Sequence, residues 1–252
     1  MIFQLEICCG SYHSSVVAME SGANRVELCS GLGEGGLTPS VGLIKAVCAL
    51  PRIAHHVLIR PRGGDFLYSL CEKRIMLDDI ETAVSAGAEG VVVGALTSEG
   101  LIDVPFLRDC VKAAAGRHVT FHRAFDLCAQ PMMALGEIAE AGCNRLLTSG
   151  QASTAEKGIE LLKRMVEAAP STLSIMPGCG VSASNAFRIL KATGAREIHA
   201  SARALLKSQM KYRHSGVNMG KHGEDEYATM ETSADEVLRI IKSCRQEGLE
   251  NG

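Results

Sequence analysis

Two glutamate–cysteine pairs carry the strongest chemical signal in the chain. Glu6-Ile7-Cys8 and Glu27-Leu28-Cys29 share one spacing, with a single apolar residue between carboxylate and thiol. In an extended strand that spacing puts both polar groups on one face. Thiolates select soft ions such as Cu(I), so Cys8 and Cys29 at one opening could hold such an ion or meet each other. The plainer alternative is a pair of core thiols that happen to match. His122 and His199 supply imidazoles for acid–base work, and with Glu6 and Glu27 they form the catalytic candidates if the chain is an enzyme. Arg60 could neutralise Glu6 and Glu27 in an internal salt bridge or clamp an anionic ligand bidentately, while Arg62, on the glycine-rich run Arg60-Pro61-Arg62-Gly63-Gly64-Asp65, is freer to meet a ligand. Gly178 and Gly180, in Pro177-Gly178-Cys179-Gly180-Val181, and the segment Ser201-Ala202-Arg203 are the candidate anion-binding turns.

These residues need elements that bring them together. Ser21-Gly22-Ala23-Asn24-Arg25-Val26-Glu27-Leu28 has three counterparts, at Ala86-Gly87-Ala88-Glu89, Ala141-Gly142-Cys143-Asn144-Arg145 and Thr193-Gly194-Ala195-Arg196-Glu197, each leading into a β-rich run. A glycine that ends a helix and leads into a strand fits the left-handed conformation at a helix C-terminus. Four more strand candidates, Phe3 to Cys8, His55 to Arg60, His118 to His122 and Leu173 to Met176, bring the number to eight. Helical patterns fill the intervals, as with Ile159, Leu162, Met165 and Val166. Eight strands alternating with helices in 252 residues predict a (β/α)8 TIM barrel; an open doubly wound sheet is the alternative.

The barrel fixes the sidedness. Phe3, Leu5 and Ile7 face the outer helices, so Glu6 and Cys8 face the axis near the C-terminal mouth, where barrels place their chemistry. The same alternation turns Glu27, Cys29, Arg60, Thr120 and His122 inward. The repeat's register sets His199 at the layer of Glu27 and Ser201 at that of Cys29. Ser30 to Ser40 reads as a flexible loop over the mouth, followed by a helix from Val41 to Ala49 with Ser40 as its N-cap.

Composition narrows the class. The hydrophobic share of 46% suits one large core, and the net charge of −2 with intermixed signs gives no basic stripe for nucleic acid. No stretch reads as a membrane span or a signal peptide, which predicts a cytoplasmic protein. The ten cysteines follow no disulfide or zinc spacing, and Cys48, Cys110, Cys143 and Cys244 read as small buried hydrophobes of a reducing compartment. Residues 1–203 are expected to form the barrel and 204–252 an extension of the same domain, with a final helix around Ala234 to Lys242. The intervening stretch, from Met210 through Met219 and Gly220 to Glu224, could serve as a lid, a subunit contact or a disordered connection.

The whole pattern resembles the CutC copper-homeostasis family. The resemblance rests on Leu5-Glu6-Ile7-Cys8, Arg25-Val26-Glu27-Leu28-Cys29, Glu34-Gly35-Gly36-Leu37-Thr38-Pro39-Ser40, Arg60-Pro61-Arg62-Gly63-Gly64-Asp65-Phe66, Thr120-Phe121-His122-Arg123-Ala124-Phe125-Asp126 and Leu147-Thr148-Ser149-Gly150. It continues through His199-Ala200-Ser201-Ala202-Arg203 and Met210-Lys211-Tyr212-Arg213. It implies a cytoplasmic TIM-barrel protein, a homo-oligomer, that handles copper and binds Cu(I) through Cys8 and Cys29. Cys179, inside the Gly178 to Gly180 turn, adds another thiol nearby. Two functions follow: a Cu(I)-binding protein of copper homeostasis, or a barrel enzyme acting on a small anionic or phosphorylated metabolite. Its partner is accordingly a copper ion or a small anionic ligand, with neither nucleic acid nor membrane.

Overall fold

The computed structural model describes residues 3–214, 216–217 and 225–246. The four repeated helix-to-strand junctions each turn on a glycine: Gly22, Gly87, Gly142 and Gly194 have φ of +89°, +101°, +98° and +75°, values that side chains with a Cβ disfavour. The residue two places after the first and third of these glycines then locks the strand in place. Asn24 Oδ1 accepts the Leu5 N–H and Asn144 Oδ1 accepts the Val119 N–H, both at 2.9 Å. Each asparagine thus continues the ladder of the preceding strand where its own strand begins.

The result is the predicted barrel. Strands β1 (Gln4–Cys9), β2 (Arg25–Leu28), β3 (Ala54–Leu58), β4 (Gly90–Val93), β5 (His118–Phe121), β6 (Arg145–Thr148), β7 (Ser174–Pro177) and β8 (Glu197–Ala200) form one sheet in the order β7-β6-β5-β4-β3-β2-β1-β8. Its ladders are parallel. The seam between β7 and β8 carries no ladder among the described residues, so the barrel is nearly closed. Helices α1 (Tyr12–Glu20), α2 (Val41–Cys48), α3 (Leu70–Ser85), α4 (Val104–Ala113), α5 (Pro131–Glu140), α6 (Ile159–Ala168) and α7 (Ala186–Thr193) alternate with the strands. Ser40 caps α2 by accepting the Leu43 N–H, as its sequence position predicts. Leu5, Ile7, Val26, Leu28, Val57, Val91, Val119 and Ile198 face the helices and form the main core with their apolar sides. Cys110, Cys143 and Cys244 are buried, and Cys48 is partly so.

After β8 an antiparallel ribbon, β9 (Arg203–Lys207) with β10 (Ala228–Thr232), precedes α8 (Ala234–Gln246). The ribbon is fastened to the start of α1: Glu231 accepts the hydroxyls of Ser11 and Ser14 at 2.5 and 2.6 Å. Residues 215 and 218–224, including Met219, Gly220 and Glu224, lie outside the described residues. No helix among the described residues is long and apolar enough to cross a membrane.

The closed end of the barrel is charged. Arg25, Arg145 and Glu197 open their strands at the same place in the repeat, three residues after the glycine. Glu197 accepts Arg25 at 2.6 Å and Arg145 at 2.5 and 3.1 Å, and Arg25 also donates to Glu6. In the second repeat the same place is Gly90, where a Cβ would lie 2.6 Å from His56 Nε2, so glycine makes room for that buried ring. Burial alone would raise the Glu6 carboxyl, but Arg25 and then His199 hold it far below its ordinary value of 4.5.

Two outcomes test this floor. Arg25→Met leaves Glu6 and Glu197 short of a buried partner and is expected to lower unfolding stability by about 3–5 kcal/mol, read by urea denaturation. Because the folded Glu6 gives up its proton more readily than the unfolded one, its contribution is present above about pH 4.5 and is lost as pH falls below that value. Thermal melts between about pH 3 and 7 should show this slope in the native chain and a shallower one in Glu6→Gln.

Candidate functional site

The ladder sets Cys8 beside Glu27 and Glu6 beside both Arg25 and His199, so adjacent strands are staggered, while Glu27 and His199, which hold the same place in the repeat on either side of β1, face each other. Stagger of this kind is what closes a sheet into a barrel. The side chains converge all the same. Cys8 Sγ and Cys29 Sγ lie 3.3 Å apart, His199 Nδ1 meets Glu6 Oε1 at 2.8 Å, and His199 Nε2 lies 3.9 Å from Glu27 Oε2. One donor atom each from Cys8, Glu27 and His199 falls within a sphere of 4.8 Å separation.

The charges in this cluster follow from their partners. The Cys8 thiol is held well below its ordinary value by the hydrogen bond with Cys29 and by His199. Cys29 is pushed up, first because Cys8 takes the thiolate and then by burial. Burial pushes the Glu27 carboxyl up, against the opposing pull of His199. Burial works against a charged His199, but Glu27, Cys8 and Glu6 together raise it well above its ordinary value. Glu6 therefore positions His199 by one nitrogen and leaves the other toward the thiol, an orientation that second partners commonly give a ligand histidine.

Cys8, Glu27 and His199 line the wall of a cavity of about 470 Å³ at the C-terminal mouth, which also takes in Arg60, His122 and Arg203, while Cys29 is buried behind Cys8. Ser201 and Gly180 lie on the same wall. Glu6 does not line it; buried beneath, it reaches the cavity through His199.

Arg60 makes neither of the ion pairs expected of it. Its Nη atoms donate to the carbonyls of Glu34, Gly36 and Gly64 at 2.8–2.9 Å, and its backbone pairs with Thr38. The 30–40 segment is consequently tied down over the mouth rather than loose, with a short 3-10 turn at Leu32–Glu34. Arg62 is not free for a ligand: it bonds Glu72, Asp65 and the Leu67 carbonyl outside the cavity and stacks on Tyr68. Its glycine-rich setting folds the loop back on its guanidinium. The Gly178 N–H belongs to the sheet, donating to the Thr148 carbonyl, and a Cβ there would lie 2.5 Å from Leu147. That glycine serves close packing beside His199 rather than an anion.

Sequence reasoning passed over Arg123 and Asp126. Asp126 accepts from Arg123, Thr148, Ser149 and Gln151, joining the loops after β5 and β6 at the cavity rim. The local signal was the i, i+3 pair in Arg123-Ala124-Phe125-Asp126, which a single 3-10 turn brings together.

The relatives of this chain agree with the geometry. A profile of the CutC family matches residues 3–204. A CutC-family protein of Bacteroides thetaiotaomicron is 49% identical, covering 96% of this chain and 98% of its own length. One from Chromobacterium violaceum is 51% identical over 94% of this chain and 96% of its own. Among solved structures, the Streptococcus agalactiae CutC, assigned to copper homeostasis by name, superposes with a TM-score of 0.76 at 33% identity, over 79% of this chain and 99% of its own. A thiamine phosphate pyrophosphorylase from Pyrococcus furiosus, at a TM-score of 0.61 and 15% identity over 97% of this chain and 96% of its own, shares the fold alone. Matched from β1 into β9 and about half identical to relatives along nearly their whole length, the chain belongs to the CutC family.

Proposed function

We propose that the protein binds Cu(I) as cargo at the barrel mouth, in a copper-homeostasis role, with Cys8 and Cys29 as thiolate ligands. The carrying observation is the 3.3 Å approach of two thiols from neighbouring strands, Cys8 lining an open cavity beside an imidazole and Cys29 buried directly behind it. Sulfur donors favour Cu(I) over hard, oxygen-seeking ions, and His199 Nε2, once it gives up its proton, would complete a third bond. Glu6 and Glu27 shape this site from below. The same reading makes the chain a cytoplasmic homo-oligomer: Cys8, Cys29, Cys48, Cys110 and Cys143 are free thiols, in keeping with a reducing compartment, and Leu205, Leu206 and Met230 expose an apolar ribbon suited to a subunit contact.

One observation supports an enzyme instead. The Glu6–His199 pair has the carboxylate–imidazole arrangement of an acid–base catalyst, with Glu27, whose carboxyl burial pushes up, nearby. In that reading His199 and Glu27 exchange protons with a small anionic or phosphorylated metabolite, while Glu6 orients the ring and His122 contacts the ligand.

Titration of the reduced protein with Cu(I) against a competing chelator separates the two. Cu(I) binding is expected at one ion per chain, weakened at least about 100-fold in Cys8→Ala and in Cys29→Ala and unchanged in His122→Phe. Weak binding that survives both cysteine substitutions would sink the site. A second measurement uses iodoacetamide with peptide mapping. One equivalent of Cu(I) should protect Cys8 from alkylation and leave the exposed Cys71 reactive; equal protection of both would contradict a localised site.

A further inference from the structure

Two buried N–H groups at the mouth have no acceptor. Arg60 uses Nη1 and Nη2 on loop carbonyls, and its Nε has no partner. His122 accepts the Ala124 N–H at Nδ1, 3.1 Å away, and burial followed by the charge of Arg60 pushes its pKa down to about 3. The ring is therefore neutral and carries its proton on Nε2, which also lacks a partner. Both side chains are closely held, at 6% and 5% exposure. Phe66 packs against both, 5.1 Å from the Arg60 guanidinium and 5.0 Å from the His122 ring. Gly94 makes the pocket for that ring, since a Cβ there would lie 2.4 Å from its Cε1.

The charge around these donors is also uncompensated. Among the described residues no carboxylate lies within ion-pair distance of Arg60 or Arg203, although Arg25, Arg62, Arg123 and Arg145 each have one. Glu34 lines the same cavity but offers Arg60 its carbonyl instead of its carboxylate. A buried guanidinium held only by neutral carbonyls, beside an unmet imidazole N–H, calls for an anionic acceptor. The cavity is also large for an ion alone: about 470 Å³ corresponds to roughly fifteen waters and falls in the range of small-molecule sites.

We propose that Arg60, His122 and Arg203 form a binding site for the oxyanion group of a small organic acid, a carboxylate or a phosphate. The site goes beyond the copper reading because it uses neither thiol. Arg60 and His122 provide fixed N–H donors from the ends of β3 and β5, and Arg203, partly exposed at the start of β9, provides the second cation. The remainder of the ligand would occupy the cavity toward Cys8 and His199.

The test is calorimetry on the metal-free, reduced protein in a buffer holding no other oxyanion, with inorganic phosphate and malonate as probes. One site per chain is expected. Binding should weaken by roughly tenfold or more in Arg203→Met and in His122→Phe, and should be unchanged in Cys29→Ala. Tighter phosphate binding would mark a phosphorylated ligand, and tighter malonate binding a carboxylic acid. The Arg203 variant keeps the test valid if the His122 variant folds poorly, because Arg203 is partly exposed and makes no ion pair among the described residues. Absence of saturable binding of either probe up to about 10 mM, or binding unaffected by Arg203→Met, would overturn the proposal. With copper excluded throughout, neither result bears on the thiols.

Discussion

Two arginines and two glutamates occupy the closed end of a barrel that is more often packed with branched aliphatic side chains. Arg25 joins Glu6 to Glu197, and Glu197 joins Arg25 to Arg145, so two positive and two negative charges balance in one connected set. Burying four charges is expensive, and such a set need not be more stable than an apolar one. Its consequence is specificity of position. Each guanidinium has its partner in only one register of the strands, and Glu6 carries that register upward to His199 at 2.8 Å. The candidate site is thus aligned by the floor beneath it.

The floor itself arises from repetition. One place in the repeat, three residues after the junction glycine, is occupied in turn by Arg25, Gly90, Arg145 and Glu197. All four point inward because the glycine sets where each strand starts and a strand alternates its faces. A repeat of backbone geometry therefore brings four positions, three of them with side chains, to one level. Variation at that place then supplies two donors, one acceptor and one gap for His56.

This explains which parts of the molecule could be read in the sequence. Junction glycines, apolar alternation and the Ser40 cap are local signals, and local signals located the eight strands and their inward faces. Register between strands is not local. Glu-x-Cys in two strands says that both pairs face the mouth, and only the assembled ladder sets Cys8 against Glu27 and His199 against Glu6. The loops were less legible still. Arg60 binds three backbone carbonyls, acceptors that every residue possesses and that no motif announces. Arg62 looked available on its glycine-rich run, but the same flexibility lets the loop close around it. The proximity of Cys8 to Cys29 was legible because adjacent strands leave few other places for inward thiols.

The electrostatics of the mouth bear on how a metal would be chosen there. The floor is neutral as a set, Cys8 is drawn toward the thiolate as His199 is drawn toward the imidazolium, and burial pushes the Glu27 carboxyl up. What remains near the cavity is the positive charge of Arg60 and Arg203 against the single carboxylate of Glu34, because Arg123 is matched by Asp126. A site for a hard divalent cation needs surplus negative oxygen, and this mouth has the opposite balance. Selection of a monovalent soft ion by sulfur does not depend on such a surplus, since the bond to thiolate is largely a matter of ligand softness. The positive surplus lies with Arg60 and Arg203, in the part of the cavity that the thiols do not need. One opening in this barrel can therefore hold a soft cation at β1 and β2 and an oxyanion at β3 and β5 without either charge opposing the other.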